Sequence, residues 1–128
     1  MASGRPDLLV ACYAVLSTIA DAHEGSWRNL LGPSATWADR RAASIEERIG
    51  PDTPPTFLWS TDDDQVVPVL NTYAVAQRLA RAGVPHEVHV FERGGHGMGL
   101  GDVPGRENPH AAAWAPALER WLARRGWR

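Results

Sequence analysis

The sequence predicts an α/β fold in three layers, a parallel sheet with helices on its faces. Two observations carry this expectation. Short apolar runs rich in β-branched and aromatic residues occur at 7–17, 56–60 and 86–91. Amphipathic helical patterns follow the second and third of them, at 71–83 and 108–126. Alternation of this kind favours crossover connections and parallel pairing. The 128 residues suit one domain, 1–128, and apolar residues make up 44% against 22% charged, a globular balance.

Each element has its own local reason. "DLLVACYAVLS", 7–17, is continuously apolar, as a strand covered on both faces would be. Residues 21–52 form a polar excursion punctuated by Gly25, Gly32, Pro33, Gly50 and Pro51. Within it, Ser34 is placed to cap a short helix over 35–43, and "SIEERIG", 44–50, has a capping-box pattern. Thr56 to Ser60 read as the second strand, and Asp62, Asp63 and Asp64 begin the loop after it. "NTYAVAQRLARAG", 71–83, has Asn71 as its cap, Val75, Leu79 and Ala82 on one face, and Gly83 at its stop. "HEVHVF", 86–91, is the third strand, with Val88 and Val90 sharing a face. In the last helix Trp114, Leu118, Trp121 and Leu122 make the apolar stripe, and Pro116 bends it or delays its start. Trp37, Trp59, Trp114 and Trp121 are expected to be core and interface mass.

Composition excludes several functions. A net charge of -2 gives no reason to expect nucleic acid or an acidic membrane surface as partner. No apolar stretch reaches the roughly 20 residues that a membrane span needs, and no signal-peptide pattern opens the chain. The lone Cys12 rules out a disulfide within the chain. A cytoplasmic protein is the expectation.

The chemistry concentrates in two loops. Asp62–Asp64 and His96 each follow the carboxyl end of a predicted strand, and parallel neighbours put those ends on one edge of the sheet. An aspartate that accepts a hydrogen bond from a histidine ring nitrogen fixes its tautomer and stabilises its charged form, which is two-thirds of a nucleophile–His–acid triad. In "GGHG", Gly94, Gly95 and Gly97 permit a tight turn around His96. The other histidines give no such pattern. His86 and His89 face opposite sides of one strand, His23 lies in the excursion and His110 opens the last helix. A metal on His96, Asp64 and Asp63 is not expected, because no second histidine has a zinc-ligand spacing.

The run 53–101, "TPPTFLWSTDDDQVVP…GGHGMGLG", resembles the C-terminal part of an α/β-hydrolase. It is most similar to the acetyl-esterase and xylan-esterase branch of that superfamily. "RPDLLVACYAVLS" and "SWRNLLG", 26–32, resemble its preceding strand and excursion. The resemblance implies that Asp64, at the head of "DQVVP", is the catalytic acid and His96 the base. Asp62 and Asp63 are then polar loop residues or hydrogen-bond partners. It also implies a short acyl ester or sugar acetate as substrate, no cofactor, no metal, and an excursion that shapes the pocket. The family's nucleophile sits on a G-x-S-x-G elbow, and no such pattern occurs here. Ser3, Ser17, Ser26, Ser34, Ser44 and Ser60 all lack it. Ser17 lies nearest the correct edge, but "AVLSTIA" has none of the elbow's glycines.

Two expectations follow. One is the Asp–His segment of a serine esterase, inactive alone and completed by an N-terminal half. The other is a non-catalytic fragment or interaction module. In both, the 7–17 strand leaves an open apolar edge that invites a second copy or a partner chain.

Overall fold

A computed structural model describes residues 4–127. Three short strands, β1 (Leu9–Cys12), β2 (Thr56–Thr61) and β3 (His86–Phe91), form one parallel sheet in the order β1-β2-β3. Leu9 pairs with Thr56, and Thr61 with Phe91. The carboxyl ends of β2 and β3 are therefore level, and the loops that leave them begin side by side.

The central strand β2 is buried along its whole length, as its Thr-Phe-Leu-Trp-Ser-Thr sequence requires. Its side chains alternate between two cores. Phe57 and Trp59 pack with Phe91, Met98, Ala111, Ala117 and Trp121. Leu58 packs with Ala11, Leu16, Val75, Leu79 and Val84. The second core includes residues of α3 (Leu70–Arg81) and the first includes residues of α4 (Trp114–Ala123). The sheet thus lies between helices, the three-layer α/β arrangement that the sequence predicts.

Several local expectations are corrected. The first strand covers four residues, not 7–17. Tyr13 donates its N–H to the Trp59 carbonyl at 2.7 Å and then turns left-handed, at φ 38°, taking the chain off the sheet. The excursion holds a helix the pattern did not reveal, α1 (Glu24–Leu31), capped by the His23 ring. No residue of α1 is fully buried, and its apolar stripe, Trp27, Leu30 and Leu31, is too short to stand out from the polar excursion around it. The next helix, α2 (Trp37–Ala43), is capped by Thr36 in a reciprocal box with Asp39, not by Ser34. Residues 44–50 make only a 3₁₀ turn, Ile45–Glu47, because the Ser44 hydroxyl accepts from the Thr18 N–H at 2.9 Å instead of capping it.

Asn71 is not a cap either. It sits in the first turn of α3 and is 1% exposed. Its Oδ1 accepts from the Leu16 and Ser17 N–H groups at 3.2 and 2.9 Å, and its Nδ2 donates to the Asp21 carbonyl at 2.9 Å. Asn71 thereby supplies the backbone partners that the irregular stretch after β1 cannot find in a ladder. Pro116 falls in the first turn of α4, where its missing N–H costs nothing, and a 3₁₀ turn, Ala111–Ala113, leads into it. Trp59 and Trp121 are buried and Trp114 stacks on Trp59, but Trp37 is 58% exposed, with the Arg40 guanidinium over its ring. Among the described residues no helix is long and apolar enough to cross a membrane.

Candidate active site

Asp64 is held by its own turn. One oxygen, Oδ1, accepts the N–H groups of Val66 and Val67 at 2.8 and 2.9 Å, an Asx turn that fixes the carboxylate. The second oxygen is left for His96, whose Nδ1 lies 2.8 Å away. The Asp64 side chain is fully buried and that of His96 is 31% exposed. A buried carboxylate that takes two N–H donors acts as acceptor here as well, so the proton resides on His96 Nδ1. That leaves Nε2 as a lone-pair nitrogen with no partner among the described residues.

The loop bearing His96 is tied at many points. Asp63 Oδ1 accepts from the Gly94 and Gly95 N–H groups at 2.9 and 2.8 Å. The Gly95 amide, joined by that of Gly94 and opposed by some desolvation, holds the Asp63 carboxyl below the ordinary aspartate range. Thr61 Oγ1 donates to the Gly95 carbonyl at 2.7 Å. Arg106 donates to the His96 carbonyl at 2.8 Å, Asn108 to that of Arg93 at 2.8 Å, and the Trp114 indole to that of Gly99 at 2.9 Å. Gly94 has a second reason to be glycine: a Cβ there would lie 2.7 Å from Thr61 Cγ2.

The predicted pair, Asp64 and His96, is thus brought together, with Asp63 as the backbone partner the resemblance allowed. Asp62 is exposed and stands outside the constellation. Ser17 does not join it. Its hydroxyl donates to Glu46 Oε1 at 2.5 Å and accepts from the Ala20 N–H at 3.1 Å, and it is 1% exposed. These are the bonds of a structural serine. Ser3 lies outside the described residues, and none of the described serines contacts His96. The remaining histidines serve locally: His23 caps α1, His86 bonds the Val84 carbonyl, His89 pairs with Glu87 and His110 packs on Phe91. Among the described residues, no group of three or more His, Cys, Asp or Glu side chains could hold a metal ion. A cavity of about 210 Å³ opens between the excursion and the stretch after β1, lined by Leu16, Trp27, Leu30 and Ile45 among others, and neither Asp64 nor His96 lines it.

Sequence reasoning missed the loop's supports, Thr61, Arg106, Asn108 and Trp114, and the ring of Tyr13 beside His96. No sequence pattern marks them, because each reaches its partner across the fold.

A parallel sheet between helices, with an acid and a histidine on neighbouring loops past its carboxyl edge, defines an α/β-hydrolase. Residues 12–119 match the model of the prolyl oligopeptidase family, peptidase S9, and the chain belongs to that family. It is 41% identical over 96 residues to endo-1,4-beta-xylanase B of Butyrivibrio fibrisolvens, which is 75% of this chain and 15% of that protein. An acetyl ester-xyloside bifunctional hydrolase from Caldicellulosiruptor lactoaceticus superposes with a TM-score of 0.89 at 39% identity, over 96% of this chain and 44% of the other. A sugar hydrolase from Lactococcus lactis gives 0.79 at 31% identity, over 94% and 49%. The chain therefore spans less than half the length of these relatives.

Proposed function

We propose that this chain carries the acid and base of a serine ester hydrolase, and that the nucleophile comes from outside these 128 residues. The carrying observation is the 2.8 Å bond between His96 Nδ1 and a fully buried Asp64, with His96 Nε2 left unpaired. In the reaction, Nε2 takes the serine proton as the serine oxygen bonds to the carbonyl carbon. It then returns that proton to the leaving alkoxide, and water repeats the cycle on the acyl enzyme. Asp64 stays ionised throughout and stabilises the imidazolium. The names of the relatives support a short acyl ester, such as a sugar acetate, over a peptide. The excursion at 21–52 then sets substrate preference from the side of β1, and the setting is cytoplasmic.

The test is a chimera that joins the N-terminal part of the Caldicellulosiruptor hydrolase to this chain. It should hydrolyse a nitrophenyl acetate, and His96→Ala should lower kcat by roughly 10⁴- to 10⁶-fold, the range that loss of a triad member costs. A folded chimera equally active with and without His96 would refute the assignment.

The absent elbow favours a second reading, a non-catalytic module that pairs through its open sheet edge. Under it, His96→Ala changes local stability and nothing else.

A further inference from the structure

Asp64 holds the His96 ring at one nitrogen only. A single hydrogen bond fixes a distance but leaves the imidazole free to tilt about it. The structure supplies a second hold. The Tyr13 ring meets the His96 ring edge-on, with centroids 5.1 Å apart and planes at 72°. Its other neighbour is Trp59, 4.9 Å away at 88°. Trp59 is 1% exposed and stacks on Trp114 at 5.0 Å and 13°, so Tyr13 leans on a buried, packed floor.

Tyr13 reaches this place through strain. It is one of two non-glycine residues at positive φ among those described. An ordinary residue avoids that region, and such outliers persist where the surroundings over-determine them, often beside functional groups. Here the left-handed turn comes directly after the N–H bond to Trp59 that closes β1. It swings the ring over the sheet's carboxyl edge, between Trp59 and His96. Among the described residues the Tyr13 hydroxyl has no hydrogen-bond partner, so the ring alone makes the contact.

We infer that Tyr13 is a positioning residue, whose ring fixes the tilt of the His96 imidazole and so the direction of Nε2. This rests on the acid–base reading of Asp64 and His96. It adds that the residue straight after β1 completes the support of the base.

The experiment is NMR of the 128-residue chain, with nuclear Overhauser contacts and the imidazole ¹⁵N spectrum, in wild type, Tyr13→Phe, Tyr13→Leu and Tyr13→Gly. In wild type, Tyr13 ring protons should show contacts to the His96 ring, whose carbon-bound protons should be shifted by the aromatic ring current. Tyr13→Phe should keep both. Tyr13→Leu should lose the shift, and the His96 Nδ1–H signal should broaden through faster exchange with water as the ring tilts off its Asp64 bond. Tyr13→Gly relieves the backbone strain but gives up the ring's packing on Trp59, whereas Tyr13→Leu keeps an apolar side chain there; the same loss in both variants, with the chain folded, separates positioning from general stability. Absence of the wild-type contact, or a sharp unshifted Nδ1–H signal in Tyr13→Gly, would overturn the inference. A wild-type His96 without an Nδ1–H bonded to Asp64 would instead refute the acid–base reading.

Discussion

Asp63 and Asp64 are adjacent carboxylates with different tasks. Asp64 turns its free oxygen to the imidazole, and Asp63 gathers the amides of Gly94 and Gly95. Asp63 has its carboxyl held below the ordinary range, chiefly by the Gly95 amide. A depressed folded-state value means that the ionised form stabilises the loop. That contribution is complete above the unfolded value of about 3.9 and is lost as pH falls through the lower folded value. The Gly94 and Gly95 amide resonances should therefore titrate with a midpoint below about 3.9, and Asp63→Asn should remove that transition. Titration at or above the ordinary value would show that the amides do not hold Asp63.

The decisive element is the loop from β3 to α4. It carries five glycines at positive φ between Gly94 and Gly101, yet it is fastened at both ends. Gly101 is the tightest point. A Cβ there would meet the Asn108 carbonyl at 2.8 Å and Ala112 Cβ at 2.7 Å, and its φ is 81°. Left-handed backbone costs about 1–2 kcal/mol for a side-chain-bearing residue, and overpacking a further 1–3 kcal/mol. Gly101→Ala should thus lower unfolding free energy by about 2–5 kcal/mol in urea titration. Gly105, at φ 76° in open space, should cost only the backbone part, about 1–2 kcal/mol. Equal losses at the two positions would mean that the packing of Gly101 is irrelevant.

As a whole, the molecule has two unlike sheet edges. On β3, His86, Glu87 and His89 put polar groups along the strand, and Arg124 bridges to Glu87 at 2.6 Å. Charges of this kind discourage edge pairing. On β1 the sequence is Leu-Val-Ala-Cys, with Val10 38% exposed. The sedimentation coefficient should therefore rise with concentration, and Val10→Lys should suppress the rise. A concentration-independent monomer would show that this edge is silent.

The sequence alone determined the order of the three strands and of the helices that follow β2 and β3, because burial on both faces of a sheet or on one face of a helix leaves a period in the chain. It also placed Asp64 and His96 on loops that the parallel register makes neighbours. The family match and its esterase-like relatives agree with the resemblance read from "DQVVP" and "GGHG". Other features were invisible there. Helix α1 fully buries no residue, and its stripe is only Trp27, Leu30 and Leu31. Asn71 has a cap's chemistry but holds Leu16, 55 residues away. Ser17 faces Glu46 and not the histidine, and Tyr13 lies against His96. These were decided by tertiary structure, since a hydrogen bond or ring contact between distant segments depends on where the backbone brings them, and no local period records that.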